Sequence, residues 1–254
     1  MIENIEPQSE SFTLWHGDCL ELMKNIPTSS VDMVLCDLPY GTTACKWDVI
    51  INFDDLWRHY NRVVKDTGAV VLFSKNPFTA RLIHSNLKNF RYTLVWKKDN
   101  HDNPLMAKKR FLNITEDVCV FYKRQCTYNP QGIIPYNKMT GQGRGNSLSQ
   151  ANARNNAYLQ KYTNYPRNIL EFKRDLPSVH PTQKPVALCE YLSRTFTNEG
   201  ELILDNCMGS GSTGVACINT GRRYIGMELE KHYFDIAQKR IREAAAQVKV
   251  EGSA

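Results

Sequence analysis

No part of this 254-residue chain is apolar for long enough to cross a bilayer. Runs such as Ala69-Val70-Val71-Leu72-Phe73 are short, and a spanning helix needs about 20 apolar residues. Met1 to Glu10 is polar and acidic without the apolar core of a secretory signal, so a soluble intracellular protein is expected. Metal-ligand spacing is missing as well. The eight cysteines, at 19, 36, 45, 119, 126, 189, 207 and 217, form no C-x-x-C pair, and the six histidines are scattered. Small core thiols are therefore expected, with no disulfide framework and no metal. No Gly-Lys-Ser/Thr follows a glycine-rich loop, which excludes a phosphate-binding Walker loop.

What is present begins with charge. The chain carries a net +6, but Lys123 to Ser178 holds nine Lys/Arg against Glu171 and Asp175, which leaves the remainder close to neutral. A basic excess confined to one segment suits a polyanion, because Lys and Arg displace counterions from phosphates. These 56 residues show no sustained period; they hold thirteen Asn and Gln, five tyrosines and the glycine-rich piece Thr140 to Asn146. Arg, Lys, Asn and Gln make bidentate contacts to base edges, and tyrosines stack on bases. A solvated polar loop has the same composition, so this stretch by itself leaves both readings open.

The rest of the chain alternates strands and helices. Phe12 to His16 alternates as a short strand, and Cys19 to Ile26 has helical spacing that Pro27 stops. Val31 to Cys36 is a buried strand. Asn52 caps a helix in which Phe53, Leu56, Trp57, Tyr60, Val63 and Val64 recur at three- and four-residue steps. Ala69 to Phe73 is the next strand; Asn76-Pro77 opens a helix through about Leu87, and Tyr92 to Trp96 and Asp117 to Tyr122 are further strands. After the polar stretch, a helix from Pro185 to Phe196 leads to the strand Glu201 to Asp205. A helix ending at Thr220, the strand Arg223 to Glu228 and a last amphipathic helix follow. This order predicts a doubly wound, Rossmann-like α/β sheet. Residues 1–122 and 179–254 form one domain in this reading, and 123–178 are an insertion.

Two places carry chemistry. Asp205 to Gly214 is a glycine-rich loop behind a strand, and Glu228 ends the next strand. Strand, glycine loop, helix, strand and acid in this order make a nucleotide-cofactor site, in which glycines let the backbone approach the ligand and the acid takes ribose hydroxyls. A dinucleotide oxidoreductase shares the pattern, but the extra Asp205 suits a ligand with an ammonium, such as S-adenosylmethionine. The second place is Asp37-Leu38-Pro39-Tyr40-Gly41, where the strand from Val31 meets a loop. Ligands bind at such strand ends in open α/β sheets. An acid, a proline-shaped turn and an aromatic face suit a flat, amino-bearing base; an ordinary turn uses the same residues.

Asp37-Leu38-Pro39-Tyr40, His180-Pro181-Thr182-Gln183-Lys184-Pro185 and Asp205 to Thr213 resemble three motifs of the S-adenosylmethionine-dependent DNA amino-methyltransferases. These are the catalytic, amino-terminal-helix and cofactor motifs. Their order is similar to that of the beta class, and the resemblance runs from about Leu14 to Arg242. It implies the mixed, doubly wound sheet of these enzymes, with 123–178 as target recognition region. It also implies S-adenosylmethionine as cofactor, double-stranded DNA as partner, and a cytoplasmic place in a bacterium or phage-infected cell. Membrane and metal are absent from that picture, and family members are often homodimers. Asp37 and the Leu38 carbonyl would hold the amino hydrogens of a flipped-out base, Pro39 would shape the turn and Tyr40 would stack on the base. Asp37, Asp205, Gly209, Gly211, Ser212 and Thr213 would surround the methionine part of the cofactor. Glu228 would meet its ribose, Asp18 its adenine, and Thr182 and Lys184 its carboxylate. Arg124, Lys138, Arg144, Arg154, Lys161 and Arg167 would contact DNA.

Adenine N6 is favoured as the acceptor, since cytosine-N4 enzymes more often begin the catalytic motif with Ser. There is no Pro-Cys pair of the kind that cytosine C5 enzymes use as nucleophile. Leu38 stands where the family motif has Pro, and Asn206-Cys207 where it usually has Pro-Phe. Cytosine-N4 methylation, a DNA-binding module with a vestigial site and a nicotinamide oxidoreductase are the alternatives.

Overall fold

The computed structural model describes residues 11–41, 48–102, 104–140, 158–177 and 183–251. Its central feature is β2 (Val31–Asp37), buried from Val31 to Cys36. Side chains alternate along it. Met33 and Leu35 enter a core with Leu188, Leu192, Ala216, Phe234 and Ile241, while Val34 and Cys36 enter a second core with Met23, Leu56, Tyr60 and Leu82. The first core lies under α4 (Val186–Phe196), α5 (Ser212–Asn219) and α6 (Lys231–Glu251). The second lies under α1 (Cys19–Leu22), α2 (Phe53–Val63) and α3 (Phe78–Ser85). A strand buried on both faces reads as a continuous apolar run, which is what the sequence shows.

Among the described residues, eight strands form this sheet in the order β1-β10-β9-β2-β3-β5-β4-β8. The other seven are β1 (Phe12–His16), β3 (Val64–Ser74), β4 (Phe90–Lys97), β5 (Thr115–Phe121), β8 (Ile169–Glu171), β9 (Leu202–Asp205) and β10 (Arg223–Glu228). Only β5 runs antiparallel to its neighbours. Local signals set the helix ends. Asn52 caps α2 by accepting the amides of Asp54 and Asp55 at 2.9 and 3.1 Å, and Asp18 caps α1 through the amide of Leu20 at 2.8 Å.

The aperiodic stretch contains structure that the sequence did not reveal. β6 (Ile134–Thr140) and β7 (Tyr158–Thr163) pair antiparallel. Most of their residues are exposed on both faces, so no apolar alternation marks them. β8 extends the main sheet beside β4, pairing Val95 with Ile169. The chain divides into two compact units, Met1–Asn129 with Asn168–Ala254, and Pro130–Arg167. The second is narrower than the 123–178 read from composition, because Cys126 and Leu170 are buried in the main core.

Candidate active site

Three parallel strands bring distant acids to one edge of the sheet. β9 pairs with β2 (Val34 with Leu204) and with β10 (Gly226 with Asp205). Asp37, Asp205 and Glu228 therefore stand at the carboxyl ends of neighbouring strands. A cavity of about 410 Å³ opens there, and Asp18, Asp37, Tyr40, Lys184, Asp205 and Glu228 are among its lining residues.

Asp37 is held from two sides. Its Oδ1 accepts the Tyr40 hydroxyl at 2.6 Å, and its Oδ2 accepts the Lys184 ammonium. Lys184 Nζ also lies 3.3 Å from Glu116 Oε2. Glu116 Oε1 is 3.1 Å from Lys98 Nζ, and Lys98 is 2.6 Å from Asp102. Asp37 is thus the end of a chain of alternating charges that crosses β5 and reaches the β4–β5 connection. Burial raises the Asp37 carboxyl above its usual range, with the Lys184 charge opposing it. Burial also works against the charge of Lys184, but Asp37 and Glu116 outweigh it and hold the ammonium well above its ordinary range. In Glu116, burial is overcome by Lys184 and Lys98, which keep the carboxyl low. Lys184, which the resemblance gives to the cofactor, lines the cavity with its ammonium engaged by these two acids.

The Tyr40 ring packs on Phe78, with centroids 5.0 Å apart. Leu38 lies past the last register pair of β2, Asp37 with Phe73, and lines the cavity. The Gly41 amide donates to Asp48 Oδ1 at 2.8 Å and fixes the turn behind Pro39 and Tyr40.

On the neighbouring strand β9, Asp205 is 3 % exposed. Burial pushes its carboxyl up to about 7, against hydrogen bonds from Thr213, the Cys207 amide and Cys36. Glu228 Oε2 accepts the Gly209 amide at 2.8 Å and its Oε1 accepts the Glu230 amide at 2.9 Å, so this acid fastens the glycine loop to the end of β10. Ser212 lines the cavity with its Oγ buried and, among the described residues, without a hydrogen-bond partner, an atom in place for a ligand acceptor. Asp18 lines the same cavity while capping α1.

Two of the glycines in this pattern are also needed for packing. Gly211 has φ +81°, and a Cβ on it would stand 2.9 Å from Ala237 Cβ; at Gly214 a Cβ would stand 2.4 Å from Ile241 Cδ1. Gly211 lets α6 close onto the loop and Gly214 lets it pack against α5, and Arg240 clamps the loop further by donating to the Ser210 carbonyl at 2.6 Å. Gly214→Ala should therefore cost about 1–3 kcal/mol by overpacking and lower the melting temperature by several degrees in calorimetry. An unchanged melting temperature would contradict this packing role.

Asn206 is explained by the fold. Its Oδ1 accepts the buried Tyr60 hydroxyl at 2.5 Å, and its Nδ2 lies 3.5 Å from Cys207 Sγ. The loop is thereby tied to α2. Glu116, Lys98 and Tyr60 were not singled out from sequence as site residues. The one available signal was the acid pair Glu116-Asp117 ahead of the buried apolar run of β5.

The described residues expected to contact DNA belong to both units. Lys138 and Lys161 are exposed on β6 and β7, and Arg167 is exposed at the end of the same unit. Arg124 sits by Asp66, its amide bonded to the Asp66 carbonyl at 3.1 Å. Asp66 lies near the start of β3, whereas Phe73, the neighbour of Asp37, lies near its end. Seven residues of strand span roughly 23 Å, so Arg124 belongs to the edge away from Asp37. Arg144, Arg154 and Thr182 lie outside the described residues.

Comparison with known proteins agrees with this geometry. The chain is 29 % identical to the DNA adenine methyltransferase YhdJ of Escherichia coli over 92 % of its own length and 83 % of that protein. It is 26 % identical to the type II methyltransferase M.HinfI of Haemophilus influenzae, over 91 % of this chain and 68 % of that one. Among solved structures, the M1.HpyAVI–SAM complex matches with a TM-score of 0.63 and 26 % identity, covering 91 % of this chain and 98 % of the other. The cytosine-N4-specific PvuII DNA methyltransferase, at 16 % identity and a TM-score of 0.66 over 96 % of both chains, shares the fold. The DNA methylase family model N6_N4_Mtase matches residues 31–239; with more than four-fifths of its length inside that match, the chain belongs to this family of DNA methylases.

Proposed function

We infer that the protein transfers a methyl group from S-adenosylmethionine to the N6 amino group of adenine in double-stranded DNA. The observation that carries this reading is Asp37. It is a carboxylate oriented by Tyr40 and Lys184 in a cavity that Asp205 and the glycine loop also line. The residues fit the cofactor. The cavity has the size of a small-molecule site, Ser212 Oγ awaits an acceptor, and Asp205 and Glu228 suit an ammonium and ribose hydroxyls. When bound there, S-adenosylmethionine supplies a methyl group activated by its sulfonium.

The chain's own residues prepare the acceptor. The exocyclic nitrogen of adenine shares its lone pair with the ring and is a poor nucleophile. Asp37 and the Leu38 carbonyl accept its two hydrogens and draw the nitrogen toward a tetrahedral shape. Each Asp37 oxygen already takes one donor, and each has a lone pair left for the amine. The target base must leave the duplex to reach this cavity, where the Tyr40 ring, backed by Phe78, offers a face to stack on. Orientation supplies most of the acceleration, and a carboxyl raised by burial is suited to take the proton that the amine gives up.

Target recognition is assigned to the second compact unit, Pro130–Arg167. Its hairpin carries exposed Tyr158 and Tyr162 beside Lys138 and Lys161. Cytosine N4 would present the same amine to the same acceptors. The adenine reading is preferred on the 29 % identity to an adenine enzyme and on Asp rather than Ser at position 37. Incubating DNA with the protein and labelled cofactor, then digesting it and identifying nucleosides by mass spectrometry, should yield labelled N6-methyladenine. Labelled N4-methylcytosine, or no label, would overturn this assignment.

A further inference from the structure

The β4–β5 connection, residues 98–114, has a fixed neck and a bare tip. At the neck the Lys98 amide donates to the Ile114 carbonyl at 2.8 Å, and the Asp102 amide to the Asn113 carbonyl at 2.9 Å. Both neck acids are occupied: Asp99 pairs with Arg174 at 3.1 Å, and Asp102 pairs with Lys98 and Lys75. The tip contains Lys108, Lys109 and Arg110 and no acid in residues 104–111. All three cations are exposed, and among the described residues none pairs with an acid. Phe111, which follows directly, is 100 % exposed, and Leu105 is 88 % exposed. A fully solvated Phe beside three unneutralised cations has no folding role that the contacts show, whereas the turn beneath it is ordered by the Lys109 and Arg110 amides, which both donate to the Met106 carbonyl.

Position gives the tip its meaning. β5 runs antiparallel, so its first residues stand at the edge where β2 and β3 end; Ser74 pairs with Asp117 next to Phe73 and Asp37. The neck also belongs to the ionic chain Asp102, Lys98, Glu116, Lys184, Asp37. The bare tip is thus rooted at the same edge as the carboxylate that receives the base.

We propose that the β4–β5 loop is a second DNA-holding element. Lys108, Lys109 and Arg110 take backbone phosphates near the target nucleotide, and Phe111 packs against the bases left unpaired there. The proposal rests on the DNA-methylating reading of the site. Cations displace phosphate counterions, and an exposed aromatic ring gains contact by stacking on unpaired bases or wedging between base steps. In the sequence this element is hidden by the larger basic excess of 123–178.

The test uses the full chain and a labelled duplex in which methylation by the parent protein has been demonstrated. The triple variant Lys108→Ala/Lys109→Ala/Arg110→Ala should reduce the slope of log affinity against log salt by about 0.9 for each phosphate no longer neutralised, so by about 2 to 3. Phe111→Ala should keep the slope and weaken binding roughly ten-fold. Both variants should keep the parent's melting temperature and S-adenosylmethionine affinity. If both bind the duplex with the parent's slope and affinity, the loop does not hold DNA. A change in molecular mass in place of the slope would make the tip a contact between copies, which also overturns the proposal. Failure of the parent to methylate any duplex would instead refute the assigned activity.

Discussion

Asp37→Ala should bind cofactor and DNA yet transfer methyl groups at least about 10³-fold more slowly than the parent, a loss of about 4 kcal/mol of transition-state stabilisation. The substitution removes one of the two acceptors for the amino hydrogens and leaves only the Leu38 carbonyl. It has a second consequence. Lys184 is 7 % exposed and loses its ion pair with Asp37 while that with Glu116 stays, and removing one member of a buried ion pair costs about 3–5 kcal/mol. Rate and stability therefore fall together. The double variant Asp37→Ala/Lys184→Met separates them, because it removes the buried ammonium together with its carboxylate while Glu116 keeps Lys98 at 3.1 Å. Calorimetry should show the double variant recovering much of the melting temperature. Single-turnover transfer of labelled methyl should show no recovery of rate. An Asp37→Ala protein within ten-fold of the parent rate would remove Asp37 from the reaction. Recovery of rate in the double variant would make the original loss one of folding.

The sequence revealed most about elements whose residues serve one local purpose. β2 is legible because both its faces are buried and every position from Val31 to Cys36 is apolar or tolerated in the core. α2 is legible because Asn52 caps it and its apolar residues recur on one face. The 3.6 and 2.0 periods report burial, so they fail where burial does. β6 and β7 lie largely exposed and carry no period to read. β8 is three residues long with one buried side chain, Leu170, too short for any pattern.

Within the site, the motifs located Asp37, Asp205 and the glycine loop, but not what those residues do to one another. Lys184 sits in a motif that suggests the cofactor's carboxylate, and the fold brings its ammonium to Asp37 and Glu116. That contact depends on β5 inverting its direction between β3 and β4, which no local residue pattern encodes. Gly211 and Gly214 fit a ligand-binding pattern and are required by Ala237 and Ile241 of α6. The same residue type satisfied two physical needs, and only the packing distinguished them.

Asp205 gives the site a built-in dependence on pH. In the unfolded chain its carboxyl titrates at about 3.8; in the fold, burial raises it to about 7. Below pH 3.8 both states hold the proton and no difference arises. As pH rises from there to about 7, the unfolded chain ionises first, and the free protein loses stability. At about 1.4 kcal/mol for each pH unit, the loss reaches roughly 4 kcal/mol by pH 7 and stays constant above. Burial, opposed by the hydrogen bonds from Thr213, the Cys207 amide and Cys36 and assisted by the charge of Asp37, sets this balance in the protein alone. A cationic ligand against Asp205 would favour the ionised form, so Asp205 would release its proton on binding S-adenosylmethionine below pH 7. Its affinity should then fall about 30-fold between about pH 8 and about pH 5.5, and the melting-temperature gain that it confers should shrink in the same direction. Asp205→Asn cannot ionise and should show a weaker but pH-flat affinity. Calorimetric titration at the two pH values, in buffers of different ionisation enthalpy, would also count the released proton. A parent affinity flat across this range, or an equal slope in Asp205→Asn, would place the cofactor's positive charge away from Asp205 and give the carboxyl a structural role alone.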